Sequence, residues 1–595
     1  MRVKRTALGL LIASAVGTAS AVLAEQPSTP QQDSTNLEHV LLISVDGLHQ
    51  ADLDWYVKTH ASSTLAKLVN GGVEYTNART PFPSDSFPGM VGQVTGGNPR
   101  TTGIYYDDAY SRDLQPVGTT DCKKTPTGVE VFYAEVIAKD QFRIDSGQPI
   151  PNLYTVPPPS PSTTDLSKVS LLTGDPIELI DPNTLPIDPA SCAPVYPHQY
   201  LKVNTVFEIA HAQGWHTAWS DKHAAYEILS GPSGMGIDDL FAPEINSNVD
   251  NPSNTGAFGT PAYGGGDDWT KDNTNTQRYD EVKVQAVLNW INGFDHTYPN
   301  PGYTRPGTPA IFGMNFQAVS TAQKLNKSNY YPDPSNPSVI VSGGLGGYAD
   351  GTVPGVVLQS ALDFVNGKLT EMMEALQASG NGSNTAVILS AKHGQSPQNR
   401  ADLTIINDGN MIDALNAAWD PTYTTDNSLP LVAHAIDDDG ILMWLNDRRN
   451  KALTFAKNFL QNYSGSGVGS DPLGNKTTKA FSQAGTKAIY VGKEVADLIG
   501  VKQNDGRVPD LVGIAQQGVV YAGSKLSKIA EHGGDAEQDR HVPIVVWGPG
   551  IRPGVVADEV ETTQIAPSIL TLLGLPPTNL MAVGAEGTPV LPQLR

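Results

Sequence analysis

Cysteine is nearly absent: 595 residues hold only Cys122 and Cys192. Two thiols cannot build a zinc cluster alone, and neither sits in a redox motif, so cysteine-ligated metal folds and thiol catalysis are excluded. Positive charge is also short. With 39 Lys and Arg against 61 Asp and Glu, the formal charge is −22. Such an exterior repels nucleic acid polymers and anionic membrane surfaces, so neither is expected as a partner. Beyond the N-terminus no stretch approaches the roughly 20 unbroken apolar residues of a transmembrane helix. There is no internal repeat and no sustained heptad pattern, which excludes solenoids and coiled coils.

What the N-terminus holds is Met1-Arg2-Val3-Lys4-Arg5, then an apolar stretch from Ala7 to Ala24 rich in small residues. That is the pattern of a secretory signal peptide spanning 1–24, cleaved after Ala21 or Ala24. An exported protein, periplasmic or extracellular, is the expectation. Its mature charge would be −25, because the leader carries Arg2, Lys4 and Arg5 and no acid. Export favours a Cys122–Cys192 disulfide. Closing that loop contributes about 4 kcal/mol on the chain-entropy model.

The chemistry-bearing pattern begins at His39 to Val45, a short apolar run of the kind buried on both faces of a parallel sheet, ending in Asp46-Gly47. Ligands of open α/β sheets bind at the strands' carboxyl edge, and glycine lets the chain turn away from the carboxylate. Forty residues on, Pro83-Ser84-Asp85-Ser86-Phe87-Pro88-Gly89 leads into an apolar run whose early proline favours a helix start. A hydroxyl there faces free backbone N–H groups that suit a phosphate or sulfate oxygen, and Ser86 is the candidate nucleophile. A plain N-cap serine, and Asp46 as a simple cap, are the structural alternatives. A further helix-turn-strand pattern, Asn204 to Ser220, places Asp221 and His223 at the same edge as Asp46, as substrate contacts or replacement ligands; a salt-bridged loop is the alternative.

The remaining elements alternate as an α/β chain does. Strands are expected at 310–317, 385–390, 488–491 and 542–547, helices at 277–292, 356–378, 411–419 and 448–463, and a hairpin at 431–445. All strands are assigned to one sheet. The division expected is a leader (1–24), a flexible segment (25–38) and one domain over 39–595. A Pro/Ser/Thr-rich insertion at about 107–200 is expected over the active edge, as a lid or substrate-shaping loop or as a passive surface excursion. The run Asp437-Asp438-Asp439 lacks EF-hand spacing and reads as a solvated turn.

Taken together these segments resemble the alkaline phosphatase superfamily, and within it the type I phosphodiesterase and nucleotide pyrophosphatase branch, over most of the mature chain. The resemblance rests on Pro83-Ser84-Asp85-Ser86-Phe87-Pro88, Thr95-Gly96, Gly103-Ile104, Ala391-Lys392-His393-Gly394, Glu531-His532-Gly533-Gly534 and the segment Gln564 to Gly574. It implies a sandwich with a central, mostly parallel β-sheet flanked by helices. It also implies hydrolysis of phosphate esters, diesters or nucleotide-type anhydrides, on a small anionic substrate through a phosphoryl-Ser86 intermediate. The chain departs from the family pattern at four places. Lys392 stands where the family has an aspartate ligand, Gln317 replaces another aspartate, Gln323 or Thr321 a histidine, and Gly89 an asparagine.

The expected centre is therefore one divalent ion, zinc, rather than two. Asp46, Ser86 and His393 would hold it, with His532 nearby. Lys392 would add positive charge or accept the proton of Ser86. Gly89, Asp221, His223 and Gln317 would line the substrate. Two rival readings are a sulfate-ester hydrolase, for which the arginine of Cys/Ser-x-Pro-x-Arg is missing after Ser86, and a degenerate homologue that binds an anion or partner without turnover.

Overall fold

Strand β1, His39–Val45, has six of its seven residues buried, as a near-continuous apolar run should when both faces of a sheet are covered. Its side chains split by parity. Val40 and Leu42 join one apolar layer with Met90, Val91, Ile565 and Ile569, while Leu41, Ile43 and Val45 join another with Val287, Leu358 and Val365. Period-2 alternation inside a uniformly apolar strand is what makes a three-layer sandwich. This computed structural model describes residues 37–142, 144, 176–247, 268–299, 302–419, 429–502 and 505–594. The expected leader (1–24), nearly all of the segment 25–38, the Val156 to Pro161 run and most of the loop Asn246 to Asp272 lie outside the described residues.

The other strands of the central sheet are β2 Val73–Arg79, β3 Ala218–Ser220, β4 Asp239–Phe241, β5 Ile311–Phe316, β6 Thr385–Ser390, β7 His541–Trp547, β8 Gly554–Val556 and β9 Val560–Glu561. Their order is β8-β2-β7-β6-β1-β5-β3-β4, with β9 also on β2. From β6 to β4 all pairings are parallel, and β7 runs against both of its neighbours. Helix α1, Ser86–Thr95, packs on one face. Helices α2, Asn273–Ile291, and α3, Val356–Ser379, cover the other.

One assignment is corrected. The hairpin Val432–Asp437 and Gly440–Leu445, with Leu511–Ala515 and Thr486–Val491, forms a separate four-stranded antiparallel sheet and does not extend the central one. Its residues Ile441, Met443 and Leu511 build their own apolar cluster with the helix Asn450–Asn462. Sequence gives the strands, but pairing partners depend on which apolar faces meet. The disulfide joins Cys122 to Cys192 across 70 residues of the insertion. Among the described residues no helix is long and apolar enough to cross a membrane.

Candidate active site

Register brings the polar residues together. In the parallel block Ser44 pairs with Ser390 of β6, Val45 with Phe316 of β5, and Met314 of β5 with Ser220 of β3. The residues just past these strand ends, Asp46, Gln317, Asp221, Lys222, Lys392 and His393, therefore emerge on one carboxyl edge. Gly47 makes the turn after Asp46 with φ +80°, the left-handed region that favours glycine, and a Cβ there would lie 2.7 Å from Gln323 Oε1, so a larger residue would also displace that side chain.

Helix α1 delivers Ser86 to the same edge. The cap is Asp85, whose carboxylate accepts from the N–H groups of Phe87 and Asp107. Ser86 is thus the first helical residue, which corrects the N-cap alternative. All ten residues of α1 are buried, so the hydroxyl is held rigidly. Ser86 Oγ lies 3.0 Å from His393 Nε2 and 3.0 Å from Lys222 Nζ. His393 Nδ1 is 2.9 Å from the Gly394 carbonyl, an acceptor only, so the ring proton sits on Nδ1 and Nε2 accepts from the serine. Burial lowers the His393 pKa to about 3, with Lys324 and Lys222 adding to the effect against the pull of Asp46, and the ring is neutral above that.

Asp46 is fully buried and stays ionised. Burial works against its charge, but Lys392, Lys222, His393 and the Gln317 amide outweigh it and hold the carboxyl far below the usual range. Its Oδ2 accepts from Gln317 Nε2 and from Lys222 Nζ, the latter at 3.4 Å, while Oδ1 faces His393 Nε2 at 3.8 Å. Burial likewise opposes the charge of Lys222, and Asp46, Asp221, Asp107 and Asp85 overcome it, so its pKa is raised and the group is an ammonium. Lys392 Nζ donates to Asp221 Oδ1 at 2.8 Å and lies 4.0 Å over the Tyr226 ring. Burial lowers its pKa, with Lys222 a further cause.

The other expected site residues divide. His532 packs its ring 4.0 Å from that of His393, and its Nδ1 lies 3.5 Å from Asp85 Oδ2. Gln317 reaches the centre only as a donor to Asp46. Gly89 is a packing residue: a Cβ there would lie 2.1 Å from the Lys392 carbonyl oxygen. His223 points to Glu244, 2.8 Å away, and has no hydrogen bond to Ser86, Asp46 or either lysine. Gln323 belongs to a buried network with Asp52, Tyr348 and Gln395, and Thr321 bonds to Asn273, so neither faces Ser86.

Lys222 was not singled out from sequence, although the strand-edge rule that selected Asp221 also points to its neighbour. A carboxylate wall was missed as well. Asp107 is raised to about 8 by burial and the charge of Asp85, Asp438 to about 7 by burial and Glu531, and Asp85 to about 6 by burial. Asp437, Asp438 and Asp439 are accordingly no solvated turn: Asp438 accepts from Tyr106 at 2.8 Å and Asp439 from Ser396 at 2.8 Å.

Two groups of side chains among the described residues could hold a metal ion, Asp108 with Glu130 and His434, and Glu135 with His223 and Glu244. Neither contains Ser86. At Ser86 the donors do not fit a divalent ion. Asp46 Oδ2 already takes an amide N–H and an ammonium, the serine oxygen takes a second contact from that ammonium, and Lys392, paired with Asp221, brings a second cationic side chain to the same edge. An ammonium is not a ligand, and it repels the cation that would be bound.

The central, mostly parallel sheet flanked by helices is an alkaline phosphatase-like fold. Residues 40–150, which contain Asp46 and Ser86, match the type I phosphodiesterase / nucleotide pyrophosphatase family. Among solved structures, wild-type alkaline phosphatase PafA is 14% identical, with 91% of this chain and 96% of that chain covered at a TM-score of 0.50. Murine ectonucleotide pyrophosphatase / phosphodiesterase 5 is 13% identical over 90% of this chain and 95% of that one, with a TM-score of 0.45. No curated protein sequence matches the chain.

Proposed function

We propose that the chain is an exported hydrolase of phosphate esters, taking diesters or nucleotide-type anhydrides, with Ser86 as the nucleophile. The observation that carries this reading is Ser86 Oγ at a helix start, 3.0 Å from the free nitrogen of a neutral histidine. In the first step Ser86 Oγ attacks phosphorus as its proton passes to His393 Nε2. The Oγ–P bond forms, and the ester P–O bond breaks with its electron pair going to the leaving oxygen, which takes the proton on from His393 and leaves the ring neutral again. Water then attacks phosphorus and gives a proton to His393 Nε2. The Oγ–P bond breaks and Ser86 recovers its proton from His393, leaving the enzyme unchanged. Lys392 holds Asp221 in place and adds positive charge at the edge.

A single zinc on Asp46, Ser86 and His393 would have to displace Lys222, and no step here is routed through it. One observation favours a second reading, an anion-binding homologue without turnover: Ser86 is only 1% exposed. The test is hydrolysis of p-nitrophenyl phosphate monoester and diester by wild type and Ser86→Ala. Turnover that falls at least about 1,000-fold in Ser86→Ala, with a phosphorylated Ser86 peptide trapped at low pH, is the expected result. No turnover of either ester would favour the binding homologue. Turnover unaffected by Ser86→Ala would remove the nucleophile.

A further inference from the structure

We propose that the Ser86 centre excludes divalent cations and that the ammonium groups of Lys222 and Lys392 supply the positive charge there. This rests on the reading of Ser86 as the phosphoryl acceptor, but its central claim, about charge and occupancy, can be tested without turnover. Two buried carboxylates, Asp46 and Asp221, pair with two ammonium groups, Lys222 and Lys392, so these four side chains balance one another, and Asp85, which loses its proton at about 6, adds at most one negative charge. Adding a divalent ion would then leave uncompensated positive charge in a buried space, which is unfavourable.

Geometry points the same way. Lys222 Nζ bridges Asp46 Oδ2 and Ser86 Oγ, at 3.4 and 3.0 Å, which are two of the three atoms a single ion would have to span. The third, His393 Nε2, is already within hydrogen-bond distance of the serine. Gln317 presents its N–H to Asp46 and so adds a donor where a ligand would be needed. Lys392 is fixed from two sides, by Asp221 and by the face of Tyr226, whose ring lies 4.0 Å from the ammonium. Tyr226 is itself fully buried on the segment that follows Lys222 and His223. One short stretch, 221–226, therefore supplies an ammonium, the carboxylate that pairs with the second ammonium, and the ring beneath it.

The role assigned to Lys222 is that of a cation on the serine oxygen. Its Nζ–H donates to Oγ, stabilising the alkoxide character that grows as the proton moves to His393, and it can then follow the charge onto a non-bridging phosphoryl oxygen. Its side chain is 14% exposed whereas those of Asp46, Lys392 and His393 are at 1% or below, so it is the member of the set that reaches the centre from its rim.

The experiment measures zinc and inorganic phosphate binding to the full chain by equilibrium dialysis with elemental analysis. Zinc bound at the two acidic-histidine groups is separated by adding Asp46→Asn. Wild type and Asp46→Asn are expected to bind the same amount of zinc. Phosphate is expected to bind equally well with and without a chelator and at least about tenfold more weakly to Lys222→Met, with recovery in Lys222→Arg. The double variant Lys222→Met with Lys392→Asp is expected to gain about one zinc per chain, lost again when Asp46→Asn is added. The inference is overturned if wild type binds a zinc that Asp46→Asn removes, or if a chelator abolishes phosphate binding and zinc restores it. Should the double variant not fold, the wild-type and Asp46→Asn comparison decides alone. A protein that binds phosphate without metal and hydrolyses no ester would sink the proposed activity and leave the charge assignment standing.

Discussion

At Gly89 the helix that carries Ser86 touches the loop that carries His393, with no side chain between them. Gly89→Ala should therefore push the Lys392 carbonyl away, lowering stability by about 1–3 kcal/mol in urea unfolding. It should also cost more in kcat than in KM, because the Ser86 to His393 distance opens. A KM-only effect would count against this. Single residues were also where the sequence was hardest to read. Asp46, Ser86, Lys392 and His393 were legible because each follows an apolar strand or opens a helix. The function of Gly89 was not, because its constraint comes from a backbone 303 positions away in sequence. Lys222 shares its strand edge with Asp221, but nothing local to it reveals that its ammonium lies on a serine from another element.

At the scale of elements, the start of α1 depends on Asp85, which caps Phe87 and also binds the Asp107 N–H. Asp85→Ala should lower stability by about 1 kcal/mol, and Asp85→Asn, which keeps an acceptor, by less. A thermal melt of both variants checks the order, and equal losses would contradict the capping role. The insertion has its own tie. Removing the Cys122–Cys192 bond by Cys122→Ser with Cys192→Ser should cost up to about 4 kcal/mol, read as a lower urea midpoint. Elements themselves were well announced by sequence: β1 and β6 begin and end where the apolar runs do, at His39, Val45, Thr385 and Ser390. Pairing was not, since the short run Ala488 to Val491 reads as a strand but does not show that it goes to the second sheet. Alternation reports how a strand is buried, and the partner is set by tertiary fit.

Across the whole molecule, pH should act through two opposed sets of buried groups. Asp107, Asp438 and Asp85 keep their protons to about 8, 7 and 6, whereas the unfolded chain loses them near the ordinary value of 3.8. Their contribution is complete below pH 3.8 and is lost as pH rises through the folded values. His393 works the other way. It stays neutral to about pH 3 when folded and takes a proton at 6.5 when unfolded, so stability falls as pH drops from 6.5 toward 3. The urea midpoint should therefore decline from pH 5 to 8, and Asp107→Asn should flatten the decline. An unchanged slope would show that Asp107 is ionised in the folded protein. The sandwich itself was readable from alternating elements, whereas the carboxylate wall was not, because Asp85, Asp107 and Asp438 meet only once the second sheet docks. The bare contact between α1 and the Lys392 backbone has a further consequence, in time. With no side chain to rearrange there, and every residue of α1 and β6 buried, the helix and strand have no local way to open separately. Their amides should trade hydrogen for deuterium together, at the rate of global unfolding, so Ser86 and His393 would remain in register for as long as the protein is folded at all.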